Sequence, residues 1–191
     1  MAKFASSGKG VPKKDLGLLA NMYGHVYVAR VAFGAKMSQT VQALREAEAY
    51  PGPSLVIAYS HCIAHGIDMA KGLQQQSLAS SSGYWPLYRF DPRLKEEGKN
   101  PFQLDSKRPS TKLSEYLYNE NRYNILKKSA PAIASGFLKQ AQEFVEEKWT
   151  RYEAMAAGPQ PKADDGKAKP PGIRPGGSMP TATKPGMVKP K

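Results

Sequence analysis

The stretch S-L-V-I-A-Y-S-H-C-I-A-H-G-I (54–67) holds the chain's only cysteine, Cys62, and two of its three histidines, His61 and His65. Thiolate and imidazole are the groups of metal binding and of nucleophilic catalysis. His61, Cys62 and His65 could supply three ligands to zinc, but four close ligands are the norm and a fourth is not evident. A nucleophilic thiolate needs an imidazole to draw off its proton. Side chains adjacent in sequence usually diverge, however, and no acyl-transfer motif surrounds this one. A shared iron–sulfur cluster would need a single thiolate from this segment and three from elsewhere. An inert buried thiol is the plainest alternative on spacing alone.

Other motifs are weaker. G-A-K-M-S-Q-T (34–40) echoes a phosphate-binding loop but lacks its Gly-Lys-Ser/Thr ending. S-S-G-Y-W-P-L-Y-R-F-D-P-R-L (81–94) mixes aromatics with two arginines that could stack on bases. A partly buried strand followed by an Arg/Asp-rich turn explains the same residues more simply.

The elements that would position Cys62 follow from hydrophobic pattern. H-V-Y-V-A-R-V (25–31) is a β-branched and aromatic run after Gly24. Ser38 can cap a helix over 38–49, with Met37, Val41, Leu44 and Ala47 at helical spacing. Y-P-G-P ends it, and S-L-V-I-A-Y (54–59) is apolar at successive positions, as in a strand buried on both faces of a parallel sheet. Strand, helix and strand make a βαβ unit, and Cys62 falls just past its second strand, where open α/β sheets bind ligands.

A short helix over 13–24 precedes this unit. A helix over 69–81 and an extended run over 83–91 follow it. Helices near 111–127 and 130–156 complete the body. In the last, Ile133, Phe137, Ala141, Phe144, Lys148 and Tyr152 trace one face, Lys148 covering it with its methylenes. The predicted class is α/β: a parallel βαβ core in an incomplete sheet, with edges left to be covered, and a helical C-terminal extension.

At 191 residues the chain can bury one core and carry appendages. No apolar run is long enough to span a bilayer, and M-A-K-F-A-S-S-G-K-G lacks the apolar region of a signal peptide. One cysteine agrees with a cytoplasmic protein. The net charge of +12 calls for an anionic partner. Residues 159–191 hold eight of the sixteen prolines and seven Lys/Arg against two Asp, with no aromatics, so they are expected to be a disordered basic tail. Such an arm is a solubilising extension, or it touches nucleic acid or an acidic protein.

A-K-F-A-S-S-G-K, K-K-D-L-G-L-L-A-N-M-Y-G-H-V-Y-V-A-R-V-A-F-G-A, E-A-E-A-Y-P-G-P-S-L-V-I-A-Y-S-H-C-I-A-H-G-I, S-G-Y-W-P-L-Y-R-F-D-P-R-L and G-K-N-P-F-Q-L-D-S-K come in an order and spacing that resembles the pyruvate:ferredoxin (flavodoxin) oxidoreductases. The resemblance runs to about residue 157. It implies a division into 1–110, the latter part of a thiamin-diphosphate-binding domain; 111–158, the helical extension; and 159–191, the tail. It implies oxidative decarboxylation of pyruvate to acetyl-CoA, with electrons passed through iron–sulfur clusters to ferredoxin or flavodoxin.

The resemblance also implies that Cys62 is the fourth ligand of a [4Fe–4S] cluster whose other three lie upstream, His61 and His65 being neighbours rather than ligands. His65 could donate a hydrogen bond that raises the cluster potential. Thiamin diphosphate and Mg²⁺ belong to the complete enzyme, because the family's Gly-Asp-Gly and its following Asn are absent from this chain. No catalytic residue is assigned here. The chain resembles a C-terminal fragment, inactive alone, whose partners would be the missing N-terminal portion, coenzyme A, pyruvate and a second copy in a homodimer. The other function class is a non-catalytic remnant or binding protein acting through the basic tail.

Overall fold

The computed structural model describes residues 13–158, which lie within one compact unit. The tail expected over 159–191 falls outside the described residues. The elements run α1 (Leu16–Asn21), β1 (Tyr27–Val31), α2 (Met37–Glu48), β2 (Ser54–Ala58), two 3₁₀ turns (Ile63–His65 and Met69–Lys71), α3 (Gly72–Ser81), β3 (Tyr88–Phe90), α4 (Arg93–Glu96), β4 (Phe102–Leu104), α5 (Leu113–Leu117), α6 (Asn121–Ser129) and α7 (Pro131–Ala157).

The strands lie in the order β2-β1-β3-β4. β1 and β2 are parallel, Tyr27 opposite Ser54 through Val31 opposite Ala58, so the βαβ unit is present as expected. The extended run over 83–91 supplies β3, which instead pairs antiparallel with β1 and then with β4. The sheet is therefore mixed. Two strands of three residues suffice for this, because Gly98 (φ +70°) lets the chain turn back between them.

β1 is buried along its whole length. One face packs Tyr27, Ala29 and Val31 against Ala43 of α2; the other sets Val28 with Tyr88, Phe102 and Tyr152 under α1 and the end of α7. A third cluster joins α3, α5 and α7 through Ala79, Tyr116, Leu117, Val145 and Trp149.

Several expectations change. β2 is an edge strand, its Leu55, Val56 and Ile57 only half-buried, because nothing among the described residues pairs with its outer side. Helix α2 begins at Met37 with Lys36 in the capping position and no side-chain cap, so Ser38 lies within the helix. Its buried residues are Gln39 and Ala43, while Met37, Val41 and Leu44 point outward at 57%, 50% and 53% exposure. The sheet takes the small face of this helix and leaves the large apolar one bare.

The first helix is shorter than expected, closing at Asn21; the helix expected over 111–127 is two, broken between Leu117 and Asn121. In α7 the buried line is Ala134, Val145, Trp149 and Tyr152, with Ile133 exposed and Phe137, Phe144 and Lys148 at the margin.

Candidate functional site

Cys62 sits four residues beyond the end of β2, on extended backbone (φ −137°, ψ 133°) that opens the 3₁₀ turn Ile63–His65. The Tyr59 N–H donates to the Val31 carbonyl (2.9 Å), so the chain leaves the sheet in register with β1 before it bends. The Cys62 carbonyl accepts from the His65 N–H (2.9 Å), and Gly66 closes the turn at φ +72°. The thiol is free and partly buried.

The two histidines hold this loop from opposite sides. His61 Nδ1 accepts from Gln76 Nε2 (3.1 Å), while Gln76 Oε1 accepts from the Gly34 N–H (2.8 Å). Because a side-chain amide nitrogen only donates, this assigns the neutral His61 proton to Nε2. The ring lies directly on Gly72, where a Cβ would come within 2.2 Å of Nε2.

On the other side His65 Nε2 accepts from Arg122 Nη1 (3.2 Å), leaving Nδ1 as the protonated nitrogen, 3.8 Å from Glu120 Oε2. Burial, and the Arg122 guanidinium beside it, lower the His65 pKa and keep the ring neutral. Glu120 is fully buried and accepts from Gln75 Nε2 (3.0 Å) and Arg122 Nε. The Asn121 N–H donates to the Gly66 carbonyl (3.2 Å), which ties the loop to the break between α5 and α6.

Among the described residues, no three His, Cys, Asp or Glu side chains gather where they could hold a metal ion. His61, Cys62 and His65 therefore form no zinc site; both rings are turned to anchor the loop. With one ring bonded to Gln76 and the other to Arg122, neither stands as a base for the thiol. Residues 81–94 likewise do structural work. Arg89 is buried and paired twice to Asp105 (both 2.9 Å) and to Glu46 (2.5 Å), and Arg93 is paired to Asp91 (2.7 Å), so neither guanidinium is free to stack on a base.

A single thiolate for a shared cluster fits what remains. The Cys62 side chain makes no hydrogen bond among the described residues, and its loop is pinned at both ends. The Gly-Asp-Gly that the resemblance associates with thiamin diphosphate and Mg²⁺ does not occur in this sequence.

Sequence reasoning did not single out Gln76, Glu120 or Arg122. Polar residues in helical stretches give little signal by themselves. The one cue was Glu120-Asn121-Arg122 falling inside an otherwise helical pattern, where the helix breaks.

The pyruvate-flavodoxin oxidoreductase of a Nostoc species is 53% identical over 157 residues, 82% of this chain and 13% of that protein. The chain is a homologue of part of these oxidoreductases. The pyruvate:ferredoxin oxidoreductase of Moorella thermoacetica is 48% identical over 158 residues, 83% of this chain and 14% of that protein. The mitochondrial NADP⁺-dependent pyruvate dehydrogenase of Euglena gracilis is 50% identical over 165 residues, 85% of this chain and 9% of that protein. The chain thus spans about 13% of the length of the bacterial relatives it matches. No family model matches it. No helix among the described residues is long and apolar enough to cross a membrane.

Proposed function

We propose that Cys62 is one of four thiolate ligands of a [4Fe–4S] cluster completed from outside this chain. The chain would serve as part of a pyruvate:ferredoxin or pyruvate-flavodoxin oxidoreductase. The bound cluster would supply one-electron transfer. This chain's residues do the rest: β2 delivers the loop to the carboxyl end of the sheet, Gln76 and His61 hold one side of it, and Arg122, Glu120 and His65 hold the other.

The carrying observation is the free thiol in a doubly anchored loop, within a chain half identical to such enzymes over most of its length. The half-exposed β2 and the bare face of α2 support packing against more of an oxidoreductase. In that assembly pyruvate and coenzyme A would be the substrates, with thiamin diphosphate and Mg²⁺ bound elsewhere. Ferredoxin or flavodoxin would take the electrons, in a cytoplasmic homodimer.

Alkylation of Cys62 with iodoacetamide, before and after anaerobic assembly with the remainder of a pyruvate-flavodoxin oxidoreductase and iron–sulfide reconstitution, tests this. The thiol should react in the free chain and be protected in the reconstituted assembly. Equal labelling in both would overturn the assignment.

A further inference from the structure

His65 holds a buried donor that lacks an acceptor. Its Nε2 accepts from Arg122 Nη1 (3.2 Å), so the single proton of the neutral ring sits on Nδ1. That nitrogen is shielded from solvent and makes no hydrogen bond among the described residues. Glu120 Oε2 stands 3.8 Å away, beyond hydrogen-bond reach, and already accepts from Arg122 Nε. Leaving a buried N–H unpaired is costly, and native proteins seldom retain one unless a bound group or a water completes it.

The turn sets this donor close to the thiol. The Cys62 carbonyl accepts from the His65 N–H (2.9 Å), which closes a four-residue turn whose end Cα atoms lie within about 7 Å of each other. Arg122, itself paired to the fully buried Glu120, holds the ring from its other edge. The sulfurs of an iron–sulfur cluster accept hydrogen bonds, and such bonds strengthen as reduction adds negative charge to them.

Resting on the reading of Cys62 as a ligand, we propose that His65 Nδ1–H donates to a sulfur of that cluster and raises its reduction potential. Arg122 is a positioning residue here, since its bond to Nε2 keeps the ring proton on Nδ1.

Redox titration of the reduced-state electron paramagnetic resonance signal tests this, in the chain anaerobically reconstituted with the remainder of a pyruvate-flavodoxin oxidoreductase. His65→Leu removes the donor. The Cys62-dependent cluster should then be about tenfold harder to reduce at a fixed potential, a shift of about 59 mV to more negative values. His65→Gln can accept from Arg122 through its oxygen and donate through its nitrogen, so it should restore most of that shift. His25→Leu, where the ring bonds only the Tyr23 carbonyl (2.9 Å), should leave the potential unchanged. His65→Phe keeps a ring without a donor and carries the test if the leucine variant does not assemble. A Cys62-dependent signal of unchanged potential in the Leu or Phe variant would overturn the hydrogen bond alone and assign Nδ1–H to a water. A signal that survives Cys62→Ala would overturn the ligand reading, and this inference with it.

Discussion

The carbonyl oxygen of Gly66 accepts a hydrogen bond from the Asn121 N–H at 3.2 Å, and the two residues touch so closely that a Cβ on Gly66 would lie 2.6 Å from the Asn121 Cβ. The contact joins the cysteine loop to the helix break that presents Glu120 and Arg122. Loop position and helix break therefore depend on each other.

Gly66→Ala should strike both, since the residue sits at φ +72° and has no room for a methyl group. The left-handed conformation alone costs an alanine about 1–2 kcal/mol, and the clash adds to it. Urea unfolding should show at least that loss, and Cys62 should react faster with a thiol reagent in the folded variant. Gly24→Ala is the useful contrast, with a similar φ of +74° but nothing within 4 Å of its Cβ. It should lose stability without altering the reactivity of Cys62.

Gln76 is the matching anchor on the other side, bonded to Gly34 and His61. Gln76→Leu leaves the Gly34 N–H and a ring nitrogen without their partner, at about 1–3 kcal/mol. Nuclear magnetic resonance should show the His61 ring shifts moving while those of His25, at the opposite end of the unit's parallel strands, stay in place.

Arg89 carries two acidic partners from separate elements, Glu46 of α2 and Asp105 after β4. Removing one side of a buried ion pair strands the other, so Arg89→Met should cost roughly 3–5 kcal/mol. Arg108→Met, losing an exposed pair with Glu146, should cost under about 1 kcal/mol. Parallel denaturant titrations compare the two.

His65 gives stability a pH slope of definite sign. Its folded pKa lies below the unfolded 6.5, because burial and Arg122 oppose protonation, against a smaller opposing pull from Glu120. Between those two values the unfolded chain binds more protons, so the contribution is complete above 6.5 and is lost as pH falls below it. His65→Gln, which can still accept from Arg122, should unfold with a shallower loss of stability from pH 7 to pH 5. Identical slopes for the two proteins would remove His65 as the source.

Lys148→Met should change stability in a pH-dependent way. It removes an ammonium held near pKa 8 against its ordinary 10.5, so the variant should be more stable at pH 7, by on the order of 1–3 kcal/mol. The wild-type penalty fades as pH rises from about 8 to 10.5, and the difference between the proteins should shrink over that window. Thermal unfolding at pH 7 and pH 10 checks the gain and its decline.

Local pattern made much of this fold legible. Y-V-A-R-V and S-L-V-I-A declare strands, the proline pair at 51 and 53 ends α2, and Pro131 opens α7 where proline costs no hydrogen bond. The misreadings came from tertiary choices that a pattern cannot carry. Met37, Val41 and Leu44 form a valid amphipathic stripe, yet β1 packs on Ala43 because the close approach of helix and sheet admits only a small side chain there. Leu55-Val56-Ile57 reads as doubly buried, but nothing among the described residues pairs with the outer side of β2. β4 was invisible, since three residues carry little periodicity.

The position of Cys62 after a strand could be read directly. What flanks it could not, because His61 and His65 are given their roles by Gln76 and Arg122, which are distant in sequence. Spacing alone suggested ligands or a catalytic base; the contacts show anchors.

The most direct measurement is the iron content and low-temperature electron paramagnetic resonance spectrum of an anaerobically reconstituted assembly. It would join this chain to the remainder of a pyruvate-flavodoxin oxidoreductase, once with Cys62 and once with Cys62→Ala. The alanine assembly should form yet lack the iron and the reduced-state signal of one [4Fe–4S] cluster. Equal iron and identical spectra from both assemblies would contradict it and leave Cys62 an ordinary thiol.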